Sequence, residues 1–403
     1  DLYWKNQPSY PNSKAFIHET KFSGESALNQ IKKIQEKLIL KSLDYYLLTS
    51  LDSIAWLLNI RGNDIANTPL VHSYVIIPQK GKIELFLNSK TNHLRDYFEC
   101  IVNINKIDTI DFFINNIDIK KNIGMDEVST SYYFKYICIK RGILTNNFKD
   151  PCIYPKAIKN EIELAGARKA NIRDGISLCK FLYWLKNQKD PSNIDEIKAS
   201  EYLLNLRRNN DLFYTLSFST ISAFGHHAAL PHYSVNKNSN LTFKNNSIYL
   251  VDSGVQYKDG TTDITRTIIF GNATNEQKDR FTRVLKGHIA IALVTFTIGT
   301  KGSQIDFLAR KSLKEVNCDY DHGTGHGIGS FSNVHEGPQK IAKSQEQSDG
   351  IIKEGMILSN EPGYYKEKEY GIRTENLVVC RLSKSNLLYF ETTELSFPLL
   401  VSS

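Results

Sequence analysis

Between residues 252 and 375, four carboxylates and one histidine stand directly against apolar, strand-forming residues. This pattern constrains the fold more than any other feature of the chain. Asp252 ends the run "IYLVD", Asp263 follows eleven residues later in "TTDITRT", His326 lies in a glycine-rich stretch, Glu361 opens "EPGYY", and Glu375 sits in "GIRTEN". A carboxylate at the end of an apolar run is costly to bury without a partner. One such residue reads as a surface turn, but five residues of metal-ligand type along one segment weaken that reading.

The glycine-rich stretch "DHGTGHGIGSFSNVHEGP" (321–338) holds three of the chain's ten histidines and five glycines, and is too poor in large apolar side chains to be a core element. Glycines on both sides of His326 allow a close backbone approach. His322 and His335 are near enough in sequence to frame a substrate, and His232 of "GHHAALPHYS" joins them if its strand lies alongside; the alternative for each of the three is a surface or satisfied core histidine. His226 and His227 are less informative, and His18, His72, His93 and His288 read as ordinary surface or core histidines. A set of four carboxylates and one imidazole is oxygen-rich. It suits two divalent cations of hard or borderline character, Mn²⁺, Co²⁺ or Zn²⁺, better than a thiolate-seeking metal. Two such ions lower the pKa of a shared water and poise it for attack on a carbonyl, which is peptidase chemistry.

The hairpin between the first two ligands tests this crudely. "NSIYLVDSGV" and "TTDITRTIIF" read as strands around an Asp259-Gly260 turn. That turn sets Asp263 opposite Gln256, on the face of Asp252 but four positions away, about 13 Å at roughly 3.3 Å per residue. The expectation is therefore that a wider loop or a bulge closes the gap.

At 403 residues the chain exceeds one ordinary core. Residues 1–22, with Pro8 and Pro11, read as an extended lead-in. An α/β domain over 23–152 is expected from alternating elements. They are a helix from Glu25 to Lys41, a strand at 45–49, a helix at 51–60, strands in "HSYVIIP" and "KIELFL", and further short helices and strands to a Gly stop at Gly142. Lys149–Pro155 reads as a linker. The second domain, 153–403, opens with a helix over Asn160–Asn187, with Ile162, Ala165, Ile172, Ile176, Cys179 and Leu182 offered as its buried stripe, then a helix over Ile194–Arg208. Thr274–Gln277 is a capping box opening a helix to Phe296, and another helix spans Ser303–Val316. "GMILSN", "GIRTENLVVC" and "LLYFETTEL" return to strands. Helices and antiparallel strands in separate runs make this domain α+β.

Composition excludes several classes. The charge of +7 is spread and not blocked, and no nucleic-acid motif is present. No run of eighteen apolar residues marks a membrane span, and no secretory signal pattern is seen. Six scattered cysteines without a CxxC spacing read as buried free thiols in a reducing cytoplasm.

Together these stretches resemble the aminopeptidase P branch of the pita-bread metallopeptidases. "LVDSGVQYKDGTTDITRT", "DHGTGHGIGSFSNVHEGP" and "NEPGYYKEKEYGIRTENL" are similar to its three metal-bearing blocks, "HHAALPHY" to the block with a catalytic histidine, and "LDSIAWLLNIRGNDIANTPLVHSYVII" to the second domain of the long, three-domain form. The resemblance implies an α+β pita-bread catalytic domain preceded by a smaller α/β domain. It also implies removal of the N-terminal residue from peptides with proline second, and a dinuclear site, usually manganese. By that pattern Asp252 binds one ion only, Asp263 and Glu375 bridge both, and His326 and Glu361 complete the other shell. Glu361 also handles the proton of the attacking water, His232 and His335 contact the scissile carbonyl, His322 lines the proline pocket and Arg373 helps hold the site. The long form carries a further domain before residue 23 and a helical tail after the last strand. Their absence here leaves a natural short form, a fragment or trimming open, and bears on the homodimer the family often forms. The expected protein is a cytoplasmic Xaa-Pro aminopeptidase, with prolidase as the alternative. A non-catalytic module should lack some of the ligands, and the N-terminal domain and "DGTTDITRT" argue against a methionine aminopeptidase. No basic residue beyond Arg266 and Arg373 stands out in the motif blocks to recognise the free carboxylate of a dipeptide.

Overall fold

The computed structural model describes all residues except 1–3, 10, 89–91, 99, 189, 345–349 and 394–403. Thr91, the first residue of the stretch "TNHLRDYF" that reads as one of the short helices, and Glu394 and Leu395 of "LLYFETTEL" lie outside the described residues. The chain divides into two compact units, Asp1–Lys156 and Ala157–Ser403.

The first unit is built on a six-stranded mixed sheet. Its strand order is Val102–Asn105, Ile83–Leu87, Ser73–Pro78, Tyr45–Leu48, Asn122–Met125, Leu144–Asn147. The side-chain period of two sends alternate residues to opposite faces. Tyr46, Leu48, Val75, Ile77 and Leu85 pack with Ile31, Ile34 and Leu38 of the helix Ala27–Leu40. Leu47, Ile76 and Phe86 pack with Ile110, Ile114, Phe134 and Cys138 on the other side. Helices on both faces of a mixed sheet make this an α/β unit. The helix predicted over 51–60 ends at Leu58, and Ile60–Arg61 turns into a strand that pairs with Phe16–Ile17.

The second unit is α+β. Its largest sheet is antiparallel, in the order Thr295–Thr297, Leu387–Thr392, Asn376–Leu382, Ile357–Asn360, Gly325–Gly327, Glu336–Ile341. A second sheet joins Ile221–Phe224, Ser247–Ser253 and Ile264–Phe270, and a third joins Gly260–Thr261, Val255–Tyr257 and Phe213–Leu216. Tyr370–Arg373 pairs with Gly363–Lys366. The helix Asn275–Ala292 starts at the expected capping box, with Thr274 Oγ1 accepting from Gln277 N and Gln277 Oε1 from Thr274 N. It stops short of Phe296, which belongs to a strand.

Two expectations are corrected. The long helix, Glu161–Lys186, buries Leu164, Ala167, Ala170, Leu178, Phe181 and Leu185. Ile162, Ala165, Ile172, Ile176 and Cys179 are exposed, and Leu182 is half-buried. The middle of the true inner face, Gly166, Ala167, Ala170, Asn171, Asp174, Gly175 and Ser177, is small and polar, and at Gly166 it meets backbone. A Cβ on Gly166 would stand 2.2 Å from the carbonyl oxygen of Asp259, and one on Gly260 would stand 3.1 Å from Ala167 Cα. Apolar periodicity gives such a face little weight. Of the six free cysteines, Cys100 and Cys179 are exposed and not buried.

The hairpin expectation is corrected as well. It turns on Lys258–Asp259, with Tyr257 opposite Gly260 and Gln256 opposite Thr261. That register continues at Ser253–Ile264 and Asp252–Thr265, so Asp263 faces Gly254, only two residues from Asp252. Asp259 is held in the turn by both Arg173 Nη atoms at 3.0 Å, while Gly260 serves helix packing. No wider loop is needed to bring the two aspartates together.

Candidate active site

The four carboxylates sit at or near strand ends, and His326 sits beside a register shift within a strand. Asp252 lies near the end of Ser247–Ser253 and Asp263 just before Ile264–Phe270. His326 is central to the short strand Gly325–Gly327, Glu361 directly follows Ile357–Asn360, and Glu375 lies between Tyr370–Arg373 and Asn376–Leu382. The glycines flanking His326 serve its strand neighbours and not an ion. A Cβ on Gly325 or Gly327 would stand 2.0 Å from the carbonyl oxygen of Ser359 or Glu336. The backbone is thereby drawn tight between two strands and His326 is projected from the sheet.

All nine residues singled out from the sequence, His232, Asp252, Asp263, His322, His326, His335, Glu361, Arg373 and Glu375, line one cavity of about 760 Å³. Ligand atoms of Asp263, His326 and Glu375 lie within 4.8 Å of one another. His326 Nε2 stands 3.5 Å from Asp263 Oδ2 and 3.3 Å from Glu361 Oε1. The rings of His326 and His335 meet edge to face at 4.1 Å.

The charges are unbalanced. Burial, then the charges of Asp252 and Glu361, holds the Asp263 carboxyl well above its usual range. Burial, then Asp263, Glu361 and Asp252, does the same to Glu375. Burial pushes Glu361 up to about 7; Asp252 adds to the rise and Arg373 opposes it. Burial, aided by His335, lowers His326 to about 3. The neutral imidazole has its Nδ1 3.0 Å from the carbonyl oxygen of Gly327, which can only accept, so Nδ1 carries the proton. The Nε2 lone pair therefore faces two carboxylates, acceptor against acceptor. Asp252 Oδ2 is paired with Arg373 Nη2 at 2.6 Å, while its buried Oδ1 has no hydrogen-bond partner. Crowded carboxylates, an imidazole offering its lone pair and an orphaned carboxylate oxygen all fit divalent cations.

Further residues hold this set and were not found from the sequence. Tyr365 OH accepts from Arg373 Nη1 at 2.7 Å and lies 2.8 Å from His322 Nε2. His322 Nδ1 is 2.8 Å from the carbonyl oxygen of Gly323, so Nε2 is the acceptor and Tyr365 donates to it. Burial, then Arg373, lowers His322 to about 3, which keeps it neutral. Thr265 Oγ1 donates to Glu375 Oε2 at 2.6 Å and accepts from Arg373 Nε at 3.2 Å. Ser359 Oγ donates to Glu361 Oε1 at 2.9 Å. The alternation Asp263, Thr265, Thr267 was the available signal for Thr265, since strand residues two apart share a face. Lys340 also lines the cavity and is a cation the motif blocks did not bring out. Arg266 does not line it; it donates to the Glu375 carbonyl and to Asn376.

Among the described residues no helix is long and apolar enough to cross a membrane. Residues 165–381 match the model of metallopeptidase family M24, and residues 6–163 match the creatinase/prolidase N-terminal domain. The chain is 38% identical over 382 residues to Xaa-Pro aminopeptidase 1 of Dictyostelium discoideum, covering 92% of this chain and 60% of that one. It is 37% identical over 413 residues to a protein of Fusarium vanettenii named "Probable Xaa-Pro aminopeptidase P", covering 98% of this chain and 67% of that one. The solved structure of X-prolyl aminopeptidase from Caenorhabditis elegans, described as a cytosolic enzyme with a di-nuclear active site, superposes with a TM-score of 0.90 at 33% identity, over 98% of this chain and 66% of that one. The chain thus spans about three fifths to two thirds of the length of these relatives. On the matched segments, and on identity that runs along nearly its whole length, the chain belongs to metallopeptidase family M24.

Proposed function

We propose that this chain is a dinuclear, metal-dependent aminopeptidase that releases the N-terminal residue from peptides with proline in the second position. The observation that carries the proposal is the single cavity in which Asp252, Asp263, Glu361 and Glu375 stand with four histidines and Arg373, and in which burial and neighbouring carboxylates hold Asp263 and Glu375 well above their usual range. Relatives named Xaa-Pro aminopeptidase support it. The C. elegans description also supports a cytosolic location.

Asp252, Asp263, His326, Glu361 and Glu375 would hold the ions. Asp252 has one oxygen committed to Arg373 and one free, which suits a ligand of one ion only. Asp263 and Glu375 are the carboxylates most crowded by the others, which suits bridging. The oxygen-rich set favours Mn²⁺, with Co²⁺ or Zn²⁺ as substitutes. Bound ions would supply Lewis acidity, activating a water nucleophile at neutral pH and polarising the substrate carbonyl.

The chain's own residues do the rest. Glu361, oriented by the Ser359 hydroxyl at 2.9 Å, is placed to take the proton of the attacking water and to return it to the departing proline nitrogen. His232 and His335 line the cavity where the scissile carbonyl would lie and can donate to its developing negative charge. His322, neutral and fixed by Tyr365, offers a flat face to the pyrrolidine ring. Arg373 is committed to Asp252, Tyr365 and Thr265, so it orients ligands and has little left for a substrate carboxylate.

A prolidase must hold the free carboxylate directly after proline, and Lys340 is the cation in the cavity that a dipeptide would call on. Kinetics on a matched Xaa-Pro dipeptide, Xaa-Pro-Xaa tripeptide and Xaa-Ala-Xaa tripeptide decide between the two. The Xaa-Pro-Xaa tripeptide should be cleaved fastest, and alanine in the second position should cut kcat/KM sharply. A clear preference for the dipeptide would move the assignment to prolidase.

A further inference from the structure

His232 is carried by a segment, residues 225–241, whose regular structure is the single 3₁₀ stretch Gly225–Ala229. A loop of this kind is loosely placed unless side chains tie it down. One carboxylate does so. Glu196, the first residue of the helix Glu196–Arg208, is fully buried. Its Oε1 accepts from Phe224 N at 2.7 Å and lies 2.8 Å from His227 Nδ1. Its Oε2 accepts from Leu241 N at 3.0 Å and from Tyr233 OH at 3.1 Å. The Glu196 backbone adds two more bonds, accepting from Ser222 Oγ at 2.7 Å and donating to the Leu241 carbonyl at 3.2 Å. Both ends of the loop and two points within it therefore converge on one residue. The ring of His227 also stacks on Tyr233 at 4.2 Å.

The neighbours of His232 are tied from opposite sides. Tyr233 reaches Glu196, while the carbonyl of Pro231 accepts from Arg373 Nη2 at 3.4 Å. His232 itself is exposed and lines the cavity. Burying a carboxylate is costly unless its oxygens are fully satisfied, and here three donors from the loop and one from Phe224, directly before it, satisfy them. From this geometry we infer that Glu196 is a positioning residue: it clasps the 225–241 loop and so presents the His232 imidazole to the substrate. The inference rests on the role given to His232 above.

A double-mutant cycle on the full, Mn²⁺-loaded chain with an Xaa-Pro-Xaa tripeptide tests it. Glu196→Gln keeps the size and one acceptor but sets an N–H against the loop's donors. It should lower kcat about tenfold or more, leave KM within about twofold and leave metal content unchanged. Amide exchange across 225–241 should speed up while the strand Ser247–Ser253 keeps its protection. In a His232→Ala background the same change should cost nothing further. An equal kcat loss in both backgrounds, or a loosened loop with unchanged kcat, overturns the inference. Should Glu196→Gln fail to fold, Tyr233→Phe removes one of the four donors, and its smaller kcat loss must likewise vanish in the His232→Ala background. An unaltered chain that cleaves no tripeptide, or a His232→Ala protein as fast as the unaltered one, overturns the functional reading instead. The exchange comparison then supports or overturns the clasp by itself.

Discussion

At the scale of single residues, the site depends on groups one shell behind the proposed ligands. Thr265 is the clearest case, since one hydroxyl joins Glu375 to Arg373, and Arg373 in turn holds Asp252. Thr265→Val keeps the shape and removes both bonds. Partners that orient ligands typically contribute 10–100-fold to metal affinity, so Mn²⁺ titrated into chelated protein should bind this variant about 10–100-fold more weakly. Turnover at saturating metal should fall less than affinity does. Unaltered affinity would contradict the coupling between Thr265 and Glu375. Asp252, Asp263, His326, Glu361 and Glu375 were legible from residue type and position against apolar runs. Tyr365 was not, because a tyrosine in "EPGYY" carries no mark that separates a core ring from a hydroxyl bridging an arginine and a histidine.

At the scale of elements, the helix Glu161–Lys186 shows how close packing escapes an apolar count. Gly166→Ala would drive a Cβ to 2.2 Å from a backbone carbonyl of the hairpin turn. It should destabilise the protein by about 1–3 kcal/mol, read as a lower Tm. Ile176→Lys, on the exposed side of the same helix, should change stability by less than about 0.5 kcal/mol. Were the stripe of Ile172 and Ile176 the inner face, the two results would be reversed. The helix Asn275–Ala292 makes a pH-dependent contribution through His288. Burial, then Arg266, lowers this imidazole from 6.5 to about 4, and its Nδ1 lies 3.0 Å from the Asn360 carbonyl oxygen. Between those values the unfolded chain binds a proton that the folded chain does not, so stability falls as pH falls from about 6.5 to about 4. The slope from this one group approaches about 1.4 kcal/mol per pH unit. Denaturant titrations of His288→Gln across that window should show a flatter dependence than the unaltered chain, and an equal slope would show that His288 is not the titrating group.

At the scale of the whole molecule, ions that bind only the folded state add to its stability, by about 2.7 kcal/mol when free metal is a hundred times Kd. Chelation should therefore lower Tm and abolish turnover, and Mn²⁺ should restore both. The effect belongs to the second unit. Amide exchange should quicken at Ser247–Ser253 and not at Tyr45–Leu48 in the first unit, which holds none of the proposed ligands. Full activity in metal-free protein would contradict the proposed mechanism. The α/β character of the first unit and the α+β character of the second were legible because alternation and helix periodicity are local properties of a sequence.

The sequence by itself determined which side chains could do the chemistry. Carboxylates and histidines set against strand-forming runs are a local feature, and so are the glycines that let His326 stand between two strands. Only the tertiary structure decided the hairpin register. A one-residue move of the turn, to Lys258–Asp259, brings Asp263 across from Gly254, and Gly260, left outside the turn, packs against a helix far away in sequence. The same holds for Glu196. Nothing beside it in sequence marks it, and its place is set by donors at 224, 227, 233 and 241 that only folding gathers. Residue type follows from local chemistry, whereas register, clasp and charge balance follow from contacts between segments that the chain order keeps apart.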